Sequence, residues 1–245
     1  MPKLLARAGL VAAVCLTSPM AFGQDSVRVP VEVLLETTVR LPADYDASHS
    51  YTLVVALHGY GGNIDSFDHL AMAFGDRGLI LAVPRAPYDF VIDGHHGYDW
   101  VLQHRRDPEL VAQARRRSID YVQRVIAELR SRYSVADVYL LGFSQGGALA
   151  YITGIGSEQV AGILVFGARF HPSWLEEAPG AKSTLPRVFI AHGMGDRLIP
   201  MSGATTARDL LRKSGYEVTF TSFGGGHEIP SKVGLKAIDW ILNGR

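Results

Sequence analysis

The sequence predicts an α/β fold, with a mostly parallel central sheet and helices on both faces. Three observations carry that prediction. Short apolar runs alternate with longer segments of helical period along most of the chain. The short runs are nearly continuous in apolar residues rather than alternating, as strands covered on both faces are. No internal repeat or low-complexity linker interrupts the order, and 245 residues fit one domain.

Taken from the start, Lys3 and Arg7 precede a short, mostly apolar run from Leu10 to Leu16. Pro19 breaks that run, and Ala21-Phe22-Gly23 places small residues before a cleavage point. This is the layout of a signal peptide spanning residues 1–23, followed by one domain over 24–245 and export to the periplasm or exterior. The run is too short for a permanent membrane anchor. Cleavage would remove Cys15, the one cysteine, and with it any thiolate metal site or cysteine nucleophile.

Val27 to Leu41 reads as one or two opening strands. Tyr51 to Leu57 reads as a central strand ending at His58-Gly59, and Leu79 to Val83 as a second buried strand stopped by Pro84. Glu109 to Arg132 has the period of a long helix, with Val111, Arg115, Ser118, Val122, Val125, Ile126 and Leu129 at helical spacing. The run Arg115-Arg116-Arg117 reads as a solvated helix face. Asp137 to Phe143 is a strand that leads into a helix over Gln145 to Ile155. Val160–Phe166, Arg187–Ala191 and Glu217–Phe223 are further strands, and Ala204–Lys213 and Lys232–Leu242 further helices. The stretches 84–107 and 167–186 are the sizeable loops, expected to wall a cleft. Within them Trp100, Phe170 and Trp174 serve either a pocket or the core.

The chemistry concentrates where strands end. Gly142-Phe143-Ser144-Gln145-Gly146 matches G-x-S-x-G. In a chain with 26 glycines the bare match says little, but a strand directly before it and a helix directly after it are the setting the motif requires. There Ser144 would stand on a strained turn, and Gly142 and Gly146 would allow the close backbone approach. A serine hydroxyl needs a base. Among nine histidines, His227 follows Gly224-Gly225-Gly226 at the end of a strand. Asp196, just past another strand, supplies a carboxylate to orient it, and the order Ser, Asp, His is the one such sheets use. The backbone N–H groups of Tyr60 and Gln145 are the expected oxyanion donors. Glu228, Asp239 and His192 compete for these roles but read as a side chain aimed elsewhere, a surface charge and a structural hydrogen-bonder. His95-His96 reads as exposed loop residues, with no metal site and no cofactor expected. Lys+Arg and Asp+Glu both count 24, so nothing in the charge balance gathers nucleic acid.

Gly142–Gly147, His192-Gly193-Met194-Gly195-Asp196-Arg197-Leu198-Ile199-Pro200 and Gly226-His227-Glu228-Ile229-Pro230 resemble the phospholipase/carboxylesterase family of α/β-hydrolases, which includes acyl-protein thioesterases. The resemblance implies an α/β-hydrolase fold and a small hydrolase, nearly lidless, acting on small-molecule esters or thioesters of modest acyl chains without a cofactor. The chain's size leaves no room for a large cap domain. The turn His58-Gly59-Tyr60-Gly61-Gly62 departs from much of the family and resembles secreted polyester depolymerases and feruloyl esterases. Three readings stay open: a carboxylesterase or one of these secreted esterases, a peptidase or amidase on the same fold, and a non-catalytic binding protein.

Overall fold

A computed structural model describes residues 27, 29, 33–92, 94–177 and 184–244. Two compact units divide the chain, Met1–Leu34 and Leu35–Arg245. The few described residues of the first are exposed and without regular structure, and the expected signal peptide lies outside the described residues. Every helix and strand described here belongs to the second unit.

Nine strands and six helices follow in order: β1 (Thr37–Arg40), β2 (Tyr51–Leu57), α1 (Asp68–Gly75), β3 (Leu79–Pro84), β4 (Tyr88–Ile92), β5 (His95–Asp99), α2 (Pro108–Arg132), β6 (Val135–Phe143), α3 (Gln145–Gly154), β7 (Gly162–Phe166), α4 (Ser173–Glu176), β8 (Arg187–Gly193), α5 (Met201–Lys213), β9 (Val218–Phe223) and α6 (Ser231–Leu242). Seven strands form one sheet in the order β1-β3-β2-β6-β7-β8-β9, and β4 and β5 form a separate hairpin. β1 runs antiparallel and the other pairings of the large sheet are parallel. This is the α/β-hydrolase fold, and no large cap domain interrupts it.

The sheet separates two cores. One packs β2, β6 and β7 side chains such as Leu53, Leu140 and Ile163 against α2, α3 and α5. The other packs the opposite side chains, such as Val54, Leu141 and Leu164, against α1 and α6. Consecutive residues of one strand thus enter different cores, which accounts for runs such as Leu53 to Leu57 being apolar throughout and fully buried. Asp107 caps α2, accepting the N–H groups of Glu109 and Leu110 at 3.0 and 3.3 Å, with Pro108 in the first turn where its missing N–H costs nothing.

Three expectations need correction. Among the described residues the opening strand spans Thr37–Arg40, because pairing starts opposite Pro84, the last residue of β3. The stretch 84–107 is not only loop, since β4 and β5 pair across it from Tyr88↔Asp99 to Ile92↔His95. His95 and His96 therefore sit on a strand, although exposed, and among the described residues no cluster of three metal-ligating side chains occurs. Similarly, 167–186 contains the short helix α4. The eight-residue α1 has no counterpart in the sequence reading. Its two buried apolar residues, Leu70 and Phe74, are too few to display a period.

Candidate active site

The chain passes from β2 to β3 on one side, then crosses to β6 on the other. The sheet therefore has a topological switch point between β2 and β6, and the crevice at their carboxyl ends is where such sheets place ligands. β2 leads into the turn 58–62 and β6 leads into Ser144. A side chain at Gly59 would stand 3.4 Å from Ser144 Cβ, so the two turns touch.

Ser144 has φ 53° and ψ −117°, in the left-handed region that a residue with a Cβ enters only under constraint. The constraint is steric. A Cβ at Gly142 would lie 2.3 Å from the Gly146 carbonyl oxygen, and one at Gly146 would lie 2.1 Å from that of Leu57. Only glycine at both positions allows strand, turn and helix to close so tightly. The Ser144 N–H donates to the Phe166 carbonyl at 2.9 Å, tying the turn to β7. Although Ser144 occupies the N-cap position of α3, its side chain makes no capping bond, unlike most N-cap serines.

Asp196 and His227 meet across the ends of β8 and β9. Asp196 Oδ2 lies 2.7 Å from His227 Nδ1, and Asp196 Oδ1 accepts the N–H groups of Leu198 and Ile199, both at 2.9 Å. The Asp196 side chain is fully buried and that of His227 nearly so. Burial alone would raise the Asp196 carboxyl. The bonds from Ile199, His227 and Leu198 outweigh it and hold the group below its ordinary range, so it is ionised. Its carboxylate fixes the His227 tautomer, with the proton on Nδ1 and Nε2 free to accept. The His227 ring lies 4.8 Å from that of Phe143, beside Ser144. Gly167 makes the floor, where a Cβ would stand 3.2 Å from His227 Nδ1.

The competing residues are engaged elsewhere, as the sequence reading had them. Glu228 accepts the Gly226 N–H, Asp239 pairs with Arg77, and buried His192 bonds through Nε2 to the Ile199 carbonyl at 2.8 Å. His192 Nε2 is also 3.4 Å from Asp196 Oδ2, so a second imidazole backs the carboxylate. Among the described residues no turn or loop bond uses the N–H of Tyr60 or of Gln145, the first residue of α3, and helix N-termini leave such groups available.

Several residues that shape the site are absent from the sequence reading. The turn 58–62 is strapped to β5 by Gly61 N–H to Tyr98 O at 3.0 Å and Tyr98 N–H to Gly62 O at 3.2 Å. The Tyr60 ring stacks on Phe90 of β4 at 4.7 Å. Buried Asp99 accepts the N–H groups of Val101, Leu102 and Gln103, and the Gln145 amide donates to both Asp99 Oδ1 and Gln103 Oε1. Leu102, within this loop, and Ser144 are the two non-glycine residues of positive φ among the described residues. Trp100 belongs to the core and not to a pocket, with its indole N–H on the His58 carbonyl at 2.9 Å.

Two cavities open here. One, of about 290 Å³, is lined by Tyr60, Phe67, Phe143, His227 and Ile229. The other, of about 220 Å³, contains Ser144 and is lined by Val101, Leu149, Ile152 and Trp174. It is also lined by Arg115, which corrects the solvated-face reading of the arginine run at that one position, while Arg116, bonded to Glu109, and Arg117 are exposed as expected.

Comparison with known proteins agrees with the geometry. The family described as Phospholipase/Carboxylesterase matches residues 45–242. Acyl-protein thioesterase 1 of Neurospora crassa is 31% identical over 147 residues, an alignment that spans 57% of each chain. Acyl-protein thioesterase 1 of Emericella nidulans is 27% identical over 200 residues, 71% of this chain and 82% of the relative. Among solved structures, esterase PE8 superposes with a TM-score of 0.71 at 26% identity, covering 86% of this chain and 99% of that one. A ferulic acid esterase from Anaeromyces mucronatus has a TM-score of 0.63 at 16% identity, covering 84% and 83% of the two chains, a likeness of fold.

Proposed function

The chain belongs to the phospholipase/carboxylesterase family of hydrolases, and from that premise we propose that it is a serine carboxylesterase working through an acyl-enzyme. The 2.7 Å bond between His227 Nδ1 and Asp196 carries the reading, because it leaves Nε2 as a base on the side of Phe143 and Ser144.

Ser144 Oγ attacks the ester carbonyl carbon while His227 Nε2 accepts its proton. The N–H groups of Tyr60 and Gln145 hold the oxyanion, and the N-terminal end of α3 adds its dipole. The tetrahedral species collapses as protonated His227 gives its proton to the leaving alcohol. Water then enters and attacks the acyl carbon as His227 takes its proton, and His227 returns that proton to Ser144 Oγ as the bond to the acyl group breaks and the acid leaves. Asp196 stays ionised throughout and stabilises the imidazolium.

Ser144→Ala is expected to lower kcat on p-nitrophenyl butyrate by roughly a millionfold with an unchanged unfolding midpoint. A fluorophosphonate should add one mass increment to the wild-type chain at Ser144 and none to the variant. Substantial turnover by a folded Ser144→Ala protein would exclude this residue as nucleophile, and an unlabelled but folded wild type would favour a binding protein.

A further inference from the structure

The cavity that contains Ser144 is also lined by two arginines, half-buried Arg115 on α2 and exposed Arg169 just after β7. Neither has an ion pair or hydrogen bond among the described residues, whereas the adjacent Arg116 bonds to Glu109. The lining contains no acidic side chain. The amides of Gln103 and Gln145, also in the lining, bond to each other, and Gln145 bonds further to Asp99 and the Trp100 N–H. What remains is an apolar wall of Val101, Leu149, Ile152 and Trp174 with two unpaired cations on it. Low-dielectric walls focus such a field on the cavity, and a guanidinium fork matches a carboxylate in shape as well as charge.

We propose that the preferred substrates are esters carrying a carboxylate on the arm that lies in this cavity, bound by Arg115 and Arg169. The proposal rests on the hydrolase reading above. It assigns the apolar wall to the carbon chain of that arm and the two arginines to its far end.

Two isosteric pairs of esters test it. The acyl arm is probed by p-nitrophenyl hexanoate against the p-nitrophenyl monoester of adipic acid. The alcohol arm is probed by hexyl acetate against the acetate ester of 6-hydroxyhexanoic acid. In the wild type, one pair should show kcat/KM about tenfold higher for the anionic member, a preference that shrinks as salt rises. Arg115→Met and Arg169→Met keep the aliphatic stems, and each should reduce that ratio severalfold. The double variant should bring it to about one or below. A role limited to covering apolar surface with the stems would leave the ratio unmoved by Met. Turnover of the neutral esters with no anionic preference in either pair, or a preference that survives in the double variant, overturns this proposal and leaves the hydrolase reading standing. Absence of turnover on all four esters overturns both.

Discussion

His58 shows how much of the site is decided by single buried side chains. It is fully buried, its Nδ1–H donates to the Gly59 carbonyl at 2.8 Å, and its Nε2 accepts the Ala86 N–H at 3.2 Å. Burial depresses its pKa from 6.5 to about 4, and the Gly59 bond recovers only part of the shift. The imidazole is therefore neutral in the folded protein at pH values where the unfolded chain is protonated. Above about pH 6.5 both states are neutral and the full stability is present. As pH falls from 6.5 to 4 only the unfolded chain gains a proton here, so stability drops, by about 3 kcal/mol over that window. Urea unfolding between pH 7.5 and 4 should show this slope in the wild type and a shallower one in His58→Asn, and parallel curves would refute the assignment. Asp196 works in the same direction at lower pH. Its depressed carboxyl keeps its contribution above the ordinary carboxylate range and loses it as pH falls through the folded value.

Among elements, the β4–β5 hairpin positions the turn 58–62, from which the proposed mechanism draws an oxyanion donor, and it is the part of the site least visible in the sequence. Ser144, Asp196 and His227 stand out in the sequence because each follows a strand with glycines at or beside its end (Gly142, then Gly193 and Gly195, then Gly224, Gly225 and Gly226), a signal carried by neighbouring residues. The hairpin has no such signal. Its strands mix Asp89, His95, His96 and Gly97 with apolar residues, so no continuous apolar run marks them, and they dock on a turn distant in sequence. The place of Arg115 in the cavity lining was partly legible, since it falls on the helical stripe of Ser118 and Val122, but a charged residue within a run of three reads first as solvated. The closest approach is at Gly97, where a Cβ would lie 2.7 Å from Gly61 O and 2.8 Å from Gly61 Cα. Gly97→Ala should push the turn away and misplace the Tyr60 N–H. Loss of such a donor typically lowers kcat by roughly a hundredfold or more, and KM should change little. Steady-state kinetics on p-nitrophenyl butyrate check this, and an unaltered kcat would mean that the hairpin does not position the donor.

For the whole molecule, the sheet with a core on each side makes β6 the common wall of both, with Leu140 facing one core and Leu141 the other. Neither can shrink without a void, because both are at most 1% exposed. Leu140→Ala and Leu141→Ala should each lower unfolding free energy by about 2–5 kcal/mol, read from urea midpoints, and near-neutral values would mean that the cores relax around the gap. Placing His227 after β9, on the sheet's outer edge and downstream of Ser144, also has a consequence for biosynthesis. On the proposed mechanism, translation adds the imidazole 83 residues after the serine, and over that interval the nascent polypeptide carries a hydroxyl with nothing to activate it. A product truncated between the two codons would then lack that base, however much of the sheet it assembles.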